Sequence, residues 1–278
     1  MKVAIQGEPG SFSHEAALKL IPGAEIVPCS LSVEVFTALD RRVADAAAIP
    51  IENSLAGSVL EHFDLLLAHD VTVLGETLLR IRHNLIALAG VAIGEVEHVY
   101  SHPVALAQCR RFLAAHPGMR SIAFYDTAGS VKQLVEQQDR HAAAIASEAA
   151  ARYYGAQVLQ AGIEDNAENY TRFFLVRRSG EDQAEAAPNK MSIAFSLENR
   201  PGSLVSALSA LSAIGTNLTK IESRPVQGKP WEYIFYVDCQ IGGAAEGTRA
   251  LAALHSHCGM VKELGRYREA RGLEEATA

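Results

Sequence analysis

Apolar residues come in short runs separated by stretches of helical spacing over the first two thirds of the chain, and the rhythm changes once, beyond a polar segment at 179–190. Residues 3–5, 25–28, 46–51, 96–100, 142–146 and 156–159 read as strands. Helical patterns occupy 12–20, 32–40, 57–68, 103–115, 128–136 and 148–154. Such βα alternation predicts a mostly parallel sheet with helices on both faces. The units form two groups that meet at 71–88, a long strand-like stretch without a helix. It reads as a crossing between two lobes, with 170–177 returning to the first lobe. Two α/β lobes joined by extended crossings leave a cleft, the usual ligand position.

Segment 179–190 lacks apolar periodicity and reads as a linker. Beyond it the order is strand 192–197, helix 203–214, strands 217–223 and 231–240, helix 246–257 and strand 261–267. That is βαββαβ, a ferredoxin-like α+β domain. Leu204, Leu208 and Leu211 keep the spacing for packing on one sheet face. The expected organisation is a large domain at 1–178, the linker, a small domain at 191–268 and a tail at 269–278.

Composition narrows the partners. A chain of 278 residues with 49% hydrophobic content can bury two cores. A formal charge of −7, with no basic cluster, argues against nucleic acid or an anionic membrane as partner. Residues 1–5 enter a strand pattern directly, so neither a signal peptide nor a membrane span is expected. Cys29, Cys109, Cys239 and Cys258 show no paired spacing, which fits a reducing, cytoplasmic compartment. No metal site is expected, because His255 and His257 near Cys258 do not share a helix face.

Chemistry concentrates at Asn169-Tyr170-Thr171-Arg172-Phe173-Phe174. Thr171 carries a hydroxyl donor on a stiff stem, Arg172 can grip a carboxylate with two parallel hydrogen bonds, and the apolar run behind them makes a rigid base. Strand alternation sets Arg172 on the face opposite Thr171. Other polar groups close the strand patterns: Gly7-Glu8-Pro9-Gly10-Ser11-Phe12-Ser13, Glu52-Asn53-Ser54, Ser101-His102-Pro103 and Ser147. In an open sheet, anions bind beyond the carboxyl ends of strands at helix N-termini. Each serine also has a reading as a helix cap. The glycines at 7 and 10 lack G-x-G-x-x-G spacing, so no dinucleotide is expected.

Taken in order, these motifs, with Pro50-Ile51-Glu52-Asn53-Ser54, Ser101 to Cys109 and Ala144-Ile145-Ala146-Ser147, resemble the motif set of the prephenate dehydratase family. Gly202-Ser203-Leu204-Val205 and Glu222-Ser223-Arg224-Pro225 resemble the phenylalanine-sensing motifs of that family's ACT domain. Val104 and Ser203 depart from it, standing where glutamine and alanine are usual. The resemblance implies a two-lobed, periplasmic-binding-protein-like α/β catalytic domain followed by a ferredoxin-like ACT domain. It implies decarboxylative dehydration of prephenate to phenylpyruvate with no cofactor and no metal. It also implies phenylalanine as effector and a homodimer or homotetramer. Arogenate dehydratase and a non-catalytic metabolite sensor are the alternatives.

The residue roles follow from the same resemblance. Thr171 is expected to hydrogen-bond the departing hydroxyl, with Asn53 and Ser54 on substrate oxygens. Glu52 has two readings, an acid in the site or an ion-pair partner of its loop. Ser11, Ser101, Ser147, Asn169 and Arg172 are expected to bind substrate, with Gln108 acting from behind because it lies about two turns into its helix. His102 reads either as a general acid or as a helix-entry residue. The effector is expected at Gly202, Ser203, Leu204, Val205, Asn217, Leu218, Glu222, Ser223, Arg224 and Pro225.

Overall fold

The apolar runs become the strands expected of them in a computed structural model, which describes residues 1–181, 185–226 and 231–270. Part of the expected linker (182–184) and most of the expected tail (271–278) lie outside the described residues. Two compact units result among the described residues: Met1–Ser58 with Leu78–Phe173, and Val59–Thr77 with the described residues from Phe174 to 270.

The first unit holds two lobes. In one, β1 (Lys2–Gln6) pairs in parallel with β2 (Glu25–Cys29) and β3 (Ala46–Asn53). The other strands of this sheet are the start of β11 (Tyr170–Arg178) and the end of β5 (Val71–Arg80), with the short β4 (Gly57–Ser58) hairpinned onto β3. Helices α1 (Phe12–Leu20) and α2 (Ser32–Asp40) cover it. In the other lobe β7 (His98–Ser101) lies parallel to β8 (Arg120–Ala123) and β9 (Ala142–Ala146). Strands β6 (Asn84–Ala87) and β10 (Gln157–Ala161) add antiparallel edges. The buried alanines of β3 and β9 let helices approach both faces. Strand β8 was not expected, because its residues are largely exposed and lack an apolar run.

Two expected helices come out differently. Residues 57–68 give β4 and then α3 (Leu60–Ala68). Residues 103–115 break at Cys109 into α4 (Pro103–Gln108) and α5 (Arg110–Ala115). The break has an identifiable wedge. Asp165 accepts from the backbone N–H of Arg110 and Arg111 at 3.1 and 2.9 Å, capping α5, while its own N–H donates to Gln108 O at 2.7 Å. On the far side of this lobe, α6 (Thr127–Gln137) starts at an Asp126 cap and α7 (Glu148–Tyr154) at a Ser147 cap.

The second unit is the expected ferredoxin-like domain. Its antiparallel sheet runs β13 (Asn217–Pro225), β14 (Tyr233–Gln240), β12 (Lys190–Ser196), β15 (Met260–Tyr267). Helices α8 (Ser203–Ala213) and α9 (Ala244–His255) bury Ala207, Leu211, Ala250 and Leu254 against it. The single cut expected at 179–190 does not describe this unit, because α3 and the start of β5 cluster with its sheet. Three contacts explain why. Phe63 of α3 packs on Tyr236 with ring centroids 4.9 Å apart, and Asp64 pairs with Arg224. Lys262 Nζ donates to the carbonyls of Leu66, Leu67 and His69 at 2.9, 3.0 and 2.8 Å, closing the C-terminus of α3. Gly265 is required below, since a Cβ there would sit 2.0 Å from Val73 O. Among the described residues no helix is long and apolar enough to cross a membrane.

Candidate active site

The carboxyl end of β3, the end of α4, the entry of β11 and the crossing into β6 meet within the first unit. Asn53 is the hub of this meeting. Its Oδ1 accepts the backbone N–H of Leu55 and Ala56 at 3.0 and 2.8 Å, which turns the chain sharply after β3. Its Nδ2 donates to Asn169 Oδ1, Tyr170 O and Thr171 Oγ1 at 2.7, 3.1 and 2.9 Å. Asn169 Nδ2 in turn donates to Gln108 Oε1 at 3.0 Å, and His83 Nε2 lies 2.9 Å from the same oxygen. One continuous run of side chains therefore links His83, Gln108, Asn169, Asn53 and Thr171. Asn53 occupies a lone pair of the Thr171 oxygen, so the hydroxyl's own proton is what Thr171 has to give.

One cavity of about 420 Å³ borders this run, and a second of about 420 Å³ is lined by other residues of the same unit. The first is lined by Leu55 and Ala56 from one lobe and by Val104, Ala107 and Gln108 of α4 with Asn169 from the other side. The break at Cys109 makes Gln108 the last residue of a short helix and brings it to the cavity wall, not behind it as expected. The second cavity is lined by Gly7, Glu8 and Ser13 of one lobe and by His102, Tyr125, Asp126 and Lys132 of the other. Across it, Glu8 receives Tyr125 Oη at 3.1 Å and Lys132 Nζ at 3.2 Å. Burial holds the Asp126 carboxyl above its ordinary range, although the Gly129 N–H it accepts pulls the other way.

Strand alternation sorts the remaining residues. Thr171 faces Asn53, whereas Arg172, 8% exposed, lies toward Glu52, 3.9 Å from its Oε2. Arg172 and Glu52 thus lie off the Asn53 run, and of the two readings of Glu52 the geometry matches the ion pair. The serines expected at a ligand are spent on the backbone. Ser101, fully buried, donates to Ile145 O at 2.6 Å. Ser147 caps α7 and donates to Gly10 O at 2.6 Å, tying one lobe to the other. Ser11 caps α1 at His14 N. Ser54 donates to Glu168 O and accepts from Tyr170 N, each at about 3 Å, pinning the β3 loop to β11. His102 Nδ1 accepts from Val104 N at 3.2 Å, the helix-entry reading.

Sequence alone gave no site role to Glu8, Tyr125, Asp126, Lys132 or His83, although Glu8 stands in the turn singled out at 7–13. Asp126-Thr127 ahead of a helix pattern was a capping signal that could have drawn attention to the second cavity. His83 sits in an extended crossing with no motif to mark it.

The comparisons with known proteins fall on this geometry. The family model for prephenate dehydratase matches residues 3–181. The chain belongs to that family. Arogenate dehydratase 2 of Petunia hybrida is 40% identical to this dehydratase-family chain over 98% of its length and 73% of the relative's. The crystal structure of prephenate dehydratase in complex with L-Phe from Arthrobacter aurescens has a TM-score of 0.87 at 31% identity, covering 97% of this chain and 90% of that one. GqqA, described as a novel type of quorum quenching acylase, has a TM-score of 0.88 at 30% identity, covering 98% and 99%.

In the second unit of this family member, a cavity of about 110 Å³ is lined by Leu197, Glu198, Asn199, Arg200, Ser203, Leu204, Trp231, Tyr233 and Phe235. Of the residues expected to hold an effector, Ser203 and Leu204 line it. Val205 is exposed, Asn217 bonds Gln240 Oε1, and Leu218 packs on the core. Glu222, Ser223, Arg224 and Pro225 lie on β13, with Arg224 engaged by Asp64. Gly202 is needed for its φ of +85° ahead of α8 and not for close approach, since nothing stands within 4 Å of a Cβ there.

Proposed function

We propose that this chain catalyses the decarboxylative dehydration of prephenate to phenylpyruvate and is regulated by L-phenylalanine through its C-terminal domain. The observation that carries the reading is the Asn53–Thr171 hydrogen bond at 2.9 Å, set in the same run as two residues of a cavity wall, Asn169 and Gln108. Prephenate breaks its ring–carboxylate bond to release carbon dioxide. The freed electron pair completes the aromatic ring, and the ring hydroxyl departs with one added proton as water. Hydroxide leaves poorly, so a donor at that oxygen lowers the barrier. Thr171, with its lone pair held by Asn53, supplies that donor, while Gln108 faces the substrate's oxygens. Aromatisation supplies the driving force. Glu52 and Arg172 brace the loop through their pairing.

For regulation, the cavity of the second unit offers an aromatic lining from Trp231, Tyr233 and Phe235 and charged groups from Glu198 and Arg200. Those suit a phenyl ring with an ammonium and a carboxylate. The phenylalanine-bound relative supports that reading. Arogenate, the amino form of the same ring, is the second reading, favoured by the Petunia relative. An acylase reading lacks support, because the hydroxyls of Ser54, Ser101 and Ser147 donate to backbone carbonyls and not to a histidine base.

The test is turnover of both acids by the purified chain. Phenylpyruvate is followed by its absorbance and phenylalanine by chromatography, each with and without added phenylalanine. Expected is phenylpyruvate from prephenate at a rate that changes when phenylalanine is present. Exclusive use of arogenate would replace the substrate proposed, inactivity on both would end the dehydratase reading, and indifference to phenylalanine would end the regulatory one.

A further inference from the structure

His83 stands outside every motif above, yet its ring closes the amide run, and the polarity of that run can be read from its anchored end. Backbone N–H groups donate to Asn53 Oδ1, so Asn53 donates through Nδ2. Asn169 Oδ1 is then an acceptor, and Asn169 donates through Nδ2 to Gln108 Oε1. With an oxygen facing it at 2.9 Å, His83 Nε2 must carry the proton. Nδ1 is left bare, buried and with no hydrogen-bond partner among the described residues. The ring is 2% exposed and meets Phe12 edge-on at 5.7 Å. Burial keeps the imidazole below its ordinary 6.5, against the opposing pull of Gln108 and of Glu164, whose Oε2 accepts the His83 backbone N–H at 3.0 Å.

We propose that His83 is a positioning residue whose Nε2–H holds the Gln108 amide with its NH2 turned to the cavity, where it takes an acceptor oxygen of the substrate. With two donors on Oε1, the nitrogen is the end of the amide that remains for the cavity Gln108 lines. Losing the His83 donor lets the amide reorient, weakening substrate binding while leaving Thr171 and Asn53 in place. The inference rests on the dehydratase reading for its kinetic arm only.

His83→Phe keeps a flat ring against Phe12 and removes the donor. In the full chain, KM for the acid it turns over rises about fivefold, as for one lost orienting hydrogen bond, with kcat changed by less than about twofold. His83→Gln sets an amide nitrogen near the place of Nε2 and recovers most of the loss. In a Gln108→Ala background His83→Phe raises KM no further. An unchanged KM in His83→Phe, or an equal rise in that background, overturns the proposal. Long-range ¹H–¹⁵N correlation spectra of the folded chain read the tautomer without turnover: protonated Nε2 supports the proposal, and protonated Nδ1 overturns it. Protonated Nε2 in a chain inactive on both acids would sink the dehydratase reading and uphold the geometry.

Discussion

Thr171→Val removes one hydroxyl and keeps the shape of the side chain. The structure separates its effect on stability from its effect on chemistry. Thr171 is 8% exposed and its oxygen receives Asn53 Nδ2 at 2.9 Å. That nitrogen keeps Asn169 Oδ1 at 2.7 Å and Tyr170 O at 3.1 Å, so no buried donor is orphaned. The stability loss is one net hydrogen bond, about 1 kcal/mol. In a chain of this size that is about 3 °C of Tm. The chemical loss is larger, because a positioned donor is worth about 10²- to 10⁴-fold in rate. That corresponds to roughly 3–5 kcal/mol of barrier. Expected, therefore, is a kcat drop of that size with KM little changed and a nearly native melt, and Thr171→Ser should recover much of the rate. The assay is phenylpyruvate absorbance, or phenylalanine chromatography for arogenate, beside a thermal melt of the same samples. Undiminished turnover in Thr171→Val would refute the donor role. A collapse of the melt would refute the claim that Asn53 is satisfied without it.

Lys262→Met keeps the apolar stem but removes the ammonium that meets three carbonyls at the end of α3. Expected are a stability loss of about 2 kcal/mol and faster amide exchange at the end of α3, and unchanged exchange would show that the last turn closes itself. Acid should weaken the fold in a defined window. Burial holds His14 and His83 below 6.5, and His14 Nδ1 accepts Gly10 N–H at 2.8 Å. The unfolded chain therefore takes protons first, so the contribution of these histidines is complete above 6.5 and is lost as pH falls toward their folded values. Glu15 and Asp126, raised mainly by burial, act with the opposite sign, adding stability at acid pH that is lost as pH rises through their folded values. Denaturant titrations of wild type and His83→Gln over this range should show a shallower acid loss in the variant. Identical curves would mean that His83 is not buried as a neutral ring.

Local rules carried the elements and failed where distant side chains intervene. Helices α1, α2 and α7 have the expected bounds because apolar spacing and caps such as Ser11 and Ser147 lie within the segments themselves. The break at Cys109 could not be seen that way. Its cause, Asp165, lies 54 residues from Arg111 along the chain. The same distance problem placed Gln108 behind the site and hid α3 in the wrong unit, since Lys262 and Arg224 reach it from far along the sequence.

The candidate site divides by the same logic. Alternation along β11 was enough to foresee that Thr171 and Arg172 part company, because side-chain direction in a strand is a local property. Whether a strand-end serine meets a ligand or a carbonyl is not local. Ser101 and Ser147 look alike in sequence to a residue that binds an anion, and the structure spends both on carbonyls 44 and 137 residues away. A hydroxyl at a strand end has two uses, and burial selects between them: the deeper it lies, the more a missing backbone partner would cost. Asn53 escapes that choice because a side-chain amide has both an acceptor and a two-proton donor. It can satisfy the Leu55-Ala56 turn with one end and still hold Thr171 with the other. The geometry that fixes a proton's direction in this site therefore begins with a turn in the backbone.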